Sequence, residues 1–258
     1  MKLPIGIQDF EKIRTGGYLY IDKTEQVYRL VSEGSYYFLS RPRRFGKSLL
    51  ISTLKALFLG KRELFKGLAI DQKEDWDWAV HPVLHLDLNT EKFSTKEALE
   101  NKINTFLSIE EEKYGRAEWE KSFGTRFEGI IRRAYEKTGQ RVVILVDEYD
   151  KPMLQAIGNK ELQDEYRGTL KGFYGALKSM DGCIKFAMLT GVTKFGKVSV
   201  FSDLNNLEDI SLLRQYYDIC GISDEELLSY FDTEIDHLAE ENDMTREECI
   251  ARLRRMYD

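Results

Sequence analysis

The chain has 258 residues, of which 42% are hydrophobic and 32% charged, and a formal net charge of −6. That is enough apolar material for a sizeable core, it excludes a disordered chain, and it lacks the domain-wide basic footprint of a nucleic-acid binder. Three scattered cysteines with no CxxC or Cys/His cluster support neither a disulfide framework nor a zinc site, and no apolar run approaches the roughly 18 residues of a membrane helix.

The N-terminus, Met-Lys-Leu-Pro-Ile-Gly, has no signal-peptide core, so a reducing, cytoplasmic setting without a membrane partner is expected. Gly16-Gly17 marks a turn before the run Tyr18-Leu19-Tyr20-Ile21. That run either lines an adenine pocket or packs into the core, and core packing is the more economical reading. Asp22 or Thr24 is placed to cap a helix running through Leu30.

Next comes a short apolar strand, Tyr36–Ser40, then a basic turn ending in Gly46-Lys47-Ser48, then Leu49, Leu50, Leu54, Leu57 and Phe58 at helical spacing up to Gly60. Strand, turn and helix in this order make a phosphate-binding loop. Gly46 admits a phosphate close to the backbone, Lys47 reaches the outer phosphates, and the Ser48 hydroxyl ligates Mg²⁺. The helix N-terminus then faces the anion with its N–H groups and positive dipole end. One position departs from the pattern G-x-x-x-x-G-K-[ST]: Arg41 stands where the first glycine is usual. Arg41, Arg43, Arg44 and Lys47 form a local basic patch.

Residues 81–88 alternate and read as a second strand, in which His85 is more simply structural than a ligand. Residues 94–138 are helical by pattern, with uncertain boundaries around Gly115, Gly124 and Gly129. Glu110-Glu111-Glu112-Lys113 and Arg132-Arg133 read there as solvated faces. Val142–Val146 is a run of five aliphatic residues, expected of a strand buried on both faces, and it ends in Asp147-Glu148. A helical stretch follows over roughly 160–179. The strand from Ile184 ends in Thr190-Gly191, and Gly196-Lys197 beyond it is not a second phosphate loop, because Val198–Phe201 is β-like. Ser223-Asp224-Glu225-Glu226 opens a helical C-terminal region with a capping box. Strands alternating with helices predict an α/β sheet.

Nucleotide hydrolysis needs a phosphate cradle, a metal and an oriented water. Asp147, 100 residues after Lys47, suits the metal's second anchor, and Glu148 suits a base for water. Thr190 either faces the γ-phosphate or simply finishes its strand. Asp150 either supports the site from behind its first acids or simply holds a nearby Arg or Lys, and the structural reading is the simpler.

These segments resemble the bacterial AAA-ATPase-like family. The resemblance rests on Ile5-Gly6-Ile7-Gln8-Asp9-Phe10, Tyr20–Thr24, Ser40-Arg41-Pro42-Arg43-Arg44-Phe45-Gly46-Lys47-Ser48, Pro82–Asp87, Val146–Pro152 and Leu189–Phe195. In that family a basic, proline-containing loop replaces the first glycine, so Arg41 is not a departure there. The resemblance implies a three-layer P-loop NTPase fold with a parallel core sheet in the order 5-1-4-3-2. It also implies an ATPase-like domain over residues 1–217 and the start of a helical lid over 218–258, cut short within a helix. Family members usually continue into a domain similar to PD-(D/E)XK nucleases, which suggests nucleic acid as a partner of a longer chain.

The cofactors expected are ATP and Mg²⁺. Glu148, Lys47 and Thr190 are the expected catalytic residues, and Arg43, Arg44, Phe45, Gly46, Lys47, Ser48 and Leu49 the expected nucleotide contacts. Ser48 and Asp147 are the expected metal ligands. Hydrolysis would switch or drive an attached effector. The alternatives are a non-hydrolysing nucleotide- or nucleic-acid-binding module and, more weakly, a small-molecule kinase. Arg214 is the one candidate arginine finger, and oligomerisation is left open.

Overall fold

The computed structural model describes residues 2–194 and 206–257. The β-like run Val198–Phe201 and the Gly196-Lys197 pair lie outside the described residues. Among the described residues five parallel strands form one sheet: β1 (Tyr36–Ser40), β2 (Val83–Asp87), β3 (Val142–Asp147), β4 (Ile184–Gly191) and the two-residue β5 (Glu208–Asp209). From one edge the order is β2-β3-β4-β1-β5. Read from the other edge this is 5-1-4-3-2. The strand ending in Thr190 therefore lies between the strand before the phosphate loop and the strand ending in Asp147.

Alternation along the central strands builds two cores. Val142, Ile144 and Val146 face one side with Tyr36 and Phe38, and Val143 and Leu145 face the other with Tyr37 and Leu39. The first side is covered by α4 (Lys96–Tyr114), α5 (Phe123–Thr138) and α7 (Lys160–Tyr174), and the second by α1 (Phe10–Thr15), α2 (Thr24–Glu33) and α3 (Lys47–Phe58). A strand buried on both faces gains roughly 2 kcal/mol per large aliphatic side chain, so the unbroken aliphatic run of β3 belongs in the middle of the sheet. A register shift between Val142 and Val143 lets β4 pass Lys185 without a partner. Ile184 thereby shares a face with Ala187 and Leu189, while Phe186 and Met188 face the opposite core.

The charged helices depart from the solvated faces expected of them. Arg126, only 4% exposed, donates to both carboxylate oxygens of Glu111 at 2.6 and 2.8 Å. Arg133 donates to both oxygens of the fully buried Glu120 at 2.6 and 2.9 Å. A buried carboxylate is tolerated only when paired and hydrogen-bonded, and the amide N–H of Ala117 adds a third donor. Gly129 makes room for this cluster, since a Cβ there would stand 2.0 Å from Glu120 Oε1. That requirement explains a glycine inside α5, where it otherwise weakens a helix by about 1 kcal/mol.

Short helices α6 (Lys151–Gln155) and α8 (Ala176–Ser179) complete this unit, which spans Met1–Cys220. A second compact unit, Gly221–Asp258, holds α9 (Asp224–Tyr230), α10 (Asp232–Glu241) and α11 (Arg246–Tyr257). Its first helix opens with the expected capping box: the Ser223 hydroxyl accepts from the Glu226 amide, and the Glu226 carboxylate accepts from the Ser223 amide. Its core is small, Ile235, Ala239 and Cys249 packed with Leu227, Phe231 and Leu253. Among the described residues no helix is long and apolar enough to cross a membrane.

Candidate nucleotide site

The C-terminal ends of β1 and β3 open onto a cavity of about 880 Å³. The loop after β1 reaches α3 through Arg44 (φ 67°) and Gly46 (φ 85°), both left-handed. Gly46 tolerates that conformation freely, whereas a non-glycine residue held there stores strain of order 1 kcal/mol. No side chain caps α3, so its first N–H groups remain available to an anion in front of them. Arg43, Arg44, Gly46, Lys47, Ser48 and Leu49 all line the cavity. Phe45, expected among the nucleotide contacts, does not line it and is 45% exposed.

Lys47 is 3% exposed, and its ammonium donates to the carbonyls of Arg41 (3.1 Å) and Pro42 (3.2 Å). It also lies 3.4 Å from Glu148 Oε1. The lysine of the loop and the acid at the end of β3 therefore meet although their sequence positions are far apart. Glu148 itself is left-handed at φ 56°, the turn that brings its carboxylate out of the strand line and into the cavity wall. Burial pushes the Glu148 carboxyl above the ordinary carboxylate range; Lys47 pulls it back and Asp147 adds to the rise.

Asp147 and Thr190 lie behind this wall rather than on it. Asp147 is 4% exposed and Thr190 is fully buried, and the Thr190 hydroxyl donates to Asp147 Oδ1 at 2.5 Å. The Thr190 hydroxyl thus points to the acid beside it, near the end of its strand. Among the described residues Asp150 holds no cation. Its carboxylate accepts from the amides of Val192 and Thr193 and from the Thr193 hydroxyl, fastening β3 to the turn after β4.

Arg41 leaves the basic patch that the sequence suggested. Its guanidinium donates to the carbonyls of Ser40, Ser211, Tyr216 and Tyr217, the shortest bond being 2.6 Å to Ser211. At the position of the usual glycine stands a side chain that ties the loop's base to the segment beyond β5. Arg214 is exposed and does not line the cavity.

The half-buried run Tyr18–Ile21 does not line the cavity, and Tyr20 packs against the core, edge-on to Phe10 at 5.0 Å between ring centres. The cavity wall that sequence reasoning did not assign is Pro4–Gln8. It is a turn closed by the Ile7 amide on the Pro4 carbonyl, and it leads into α1, whose first residue Phe10 donates its amide to Ser52 of α3. Asn89, Lys151, Leu154 and Gln155 were also missed. The one local signal for Lys151 is its place directly after the acidic strand end. His85 is half-buried, with Nε2 unpartnered among the described residues, and burial pushes its pKa down, as for a neutral core histidine.

Ser48 on the wall and Asp147 behind it are both hard oxygen donors. Among the described residues no group of three or more His, Cys, Asp or Glu is assembled into a cage. This donor set suits Mg²⁺, which keeps waters and phosphate oxygens and takes one or two protein ligands.

Residues 4–201 match the AAA-ATPase-like family, described as "Predicted AAA-ATPase". The chain is also similar to the "Uncharacterized protein in vnfD 5'region" of Azotobacter chroococcum mcd 1, at 45% identity over 236 residues. That alignment covers 91% of this chain and 45% of the other protein, so the chain spans less than half the length of this curated relative. No solved structure matches the chain.

Proposed function

This chain belongs to the AAA-ATPase-like family, and from that premise we propose that it binds ATP with Mg²⁺ and hydrolyses it to switch or drive an attached effector domain. The observation that carries the proposal is the meeting of Lys47 and Glu148, 3.4 Å apart, on one wall of a cavity headed by an uncapped helix. Gly46, Lys47 and Ser48 hold the phosphates with Arg43 and Arg44. Leu49 and the apolar faces of Ile5 and Ile7 receive the rest of the nucleotide. Ser48 on the cavity wall and Asp147 just behind it would hold Mg²⁺, which would screen the phosphate charge. Thr190 acts through Asp147 as a positioning residue.

In the reaction, water forms a bond to the γ-phosphorus while the β–γ bridging P–O bond breaks. Glu148 accepts the water proton, and ADP and inorganic phosphate leave. A carboxylate with a raised pKa is a stronger base than one in water, which suits it to this step. Lys47, drawn to the γ-phosphate, releases Glu148 from their ion pair. Residues 218–258 are assigned as the beginning of a helical lid. The effector lies in a longer chain, of the nuclease-like kind suggested by the family resemblance, and nucleic acid would be engaged there rather than by this acidic chain. Unpaired thiols at all three cysteines suit a cytoplasmic setting.

The non-hydrolysing reading is favoured by one observation: the Lys47 ammonium is already engaged by the Arg41 and Pro42 carbonyls and paired with the Glu148 carboxylate. Phosphate release with ATP and Mg²⁺, comparing wild type with Glu148→Gln and Lys47→Ala, separates the two. Release lost in both variants supports hydrolysis. Wild-type release equal to the Glu148→Gln background, with Lys47-dependent binding, supports the switch module. Absence of any nucleotide binding removes both.

A further inference from the structure

We propose that Lys151 is a second catalytic cation of this site, supplied by the chain itself to the outer phosphate; the proposal rests on the ATPase reading above. Three other cations line the cavity. Lys47 is paired with Glu148, whereas Arg43 and Arg44 sit on the exposed tip of the loop. Lys151 also lines the cavity, one turn after Glu148, whose carbonyl accepts its amide at 3.0 Å. Asp150 stands just before its helix, where its carbonyl accepts the Leu154 amide at 2.9 Å, and Pro152 fixes the first turn. Its backbone is therefore held in register with the acid that would activate water.

Its side chain is aimed by Asn89, whose backbone carbonyl and side-chain oxygen both accept from Nζ. An ammonium carries three donors, so one N–H has no acceptor among the described residues. No carboxylate pairs with it there either. A half-buried ammonium without a counter-anion favours an anion brought into the same cavity. Charge grows on the outer phosphate and its leaving oxygen during transfer, and a fixed cation there stabilises the transition state more than the ground state.

A purely structural reading would have Lys151 strapping the 89–93 segment to α6. That strap is already doubled, because Gln155 Oε1 accepts from the Phe93 amide at 2.6 Å. Removing the ammonium leaves the second tie in place.

The test uses the full chain as wild type, Lys151→Met, Lys151→Arg and Asn89→Ala. Steady-state phosphate release gives kcat and KM, and displacement of a fluorescent nucleotide gives affinities for ADP and for ADP with aluminium fluoride, a mimic of the phosphate in transfer. Expected for Lys151→Met is a kcat loss of about 10²–10³-fold, with KM and ADP affinity changed less than about threefold. The preference for ADP with aluminium fluoride over ADP alone should fall in parallel, and Lys151→Arg should recover most of both. Loss of preference without turnover still supports the assignment, since that readout needs no hydrolysis. Lys151→Met with wild-type kcat and wild-type preference overturns it and leaves the ATPase reading standing. A wild type that binds no nucleotide overturns both.

Discussion

The Thr190 hydroxyl donates to Asp147 Oδ1 at 2.5 Å, from a side chain with no exposed surface. This bond crosses from β4 to β3, and it exists because the two strands are neighbours in register. Under the proposed role of Asp147 as a Mg²⁺ ligand, removing the partner behind it costs metal affinity about 10–100-fold. Thr190→Val should therefore raise the Mg²⁺ concentration needed for half-maximal phosphate release by about that factor. It should also lower unfolding stability by roughly 1–3 kcal/mol, the cost of a buried acceptor losing its donor. Thr190→Ser should stay near wild type in both. A magnesium titration of release, with urea unfolding beside it, checks this; equal behaviour of the valine and serine variants would count against the bond's role.

Glu148 gives a pH signature. Burial raises its carboxyl above the ordinary range, so the folded chain holds this proton more tightly than the unfolded chain does. Stability from this group is fully present below the unfolded carboxylate pKa and is lost as pH rises through the raised folded one. Glu148→Gln removes that loss. The variant should be more stable than wild type at neutral pH, and the difference should shrink as pH falls through the carboxylate range. Thermal unfolding across acid to neutral pH measures it. A difference that grows on acidification would show that the carboxylate is instead stabilised by folding.

Arg41 makes a sharper test because the usual residue at its position is glycine. Arg41→Gly brings the loop closer to the common pattern yet removes bonds to four carbonyls. Hydrogen bonds from a charged donor contribute about 1.5–3 kcal/mol each at best, and shared bonds to one partly exposed side chain do not add. The variant should lose roughly 2–3 kcal/mol in urea unfolding. Unchanged stability would mean that the clamp is incidental.

Much of this was legible locally. The strand before the loop, the helix after it, and the aliphatic strand ending in Asp147-Glu148 each announce themselves within about ten residues. Arg41, assigned to the basic patch, and Lys151, not assigned at all, escaped the sequence for one reason. Their partners, Ser211 with Tyr216 and Asn89, are brought to them by strand order and not by spacing. The same holds for Arg126 and Arg133. A periodic charged helix looks solvated until a second helix lays Glu111, or a neighbouring loop lays Glu120, against it.

Gly129→Ala tests that buried ion cluster. Its methyl would meet Glu120 Oε1 at 2.0 Å, and the carboxylate has Arg133, Arg132 and the Ala117 amide around it. Although alanine is the better helix former by about 1 kcal/mol, overpacking here should prevail and cost roughly 1–3 kcal/mol net. A gain in thermal stability would show that Glu120 can move aside freely.

The thiols should separate by burial. Cys220 is 8% exposed and burial pushes its thiol up to about 12 even with Arg41 and Lys47 nearby, and Cys249 is 1% exposed. Cys183 is half-buried. A thiol-specific reagent at mildly alkaline pH should modify Cys183 first, with the other two reacting only as fast as the chain opens. An initial burst of more than one thiol would contradict this order.

The outermost strand on one side of the sheet, β5, is two residues long, and the Ser211 hydroxyl just after it accepts the Ser40 amide. A long, flat free edge is a template on which a strand from another molecule can add. Here that template is only two residues long and its neighbour's next amide is already occupied by a side chain. A stray strand arriving at this side of the sheet finds too short a ladder to hold it, so the way this edge is finished also protects the chain from growing into intermolecular ribbons.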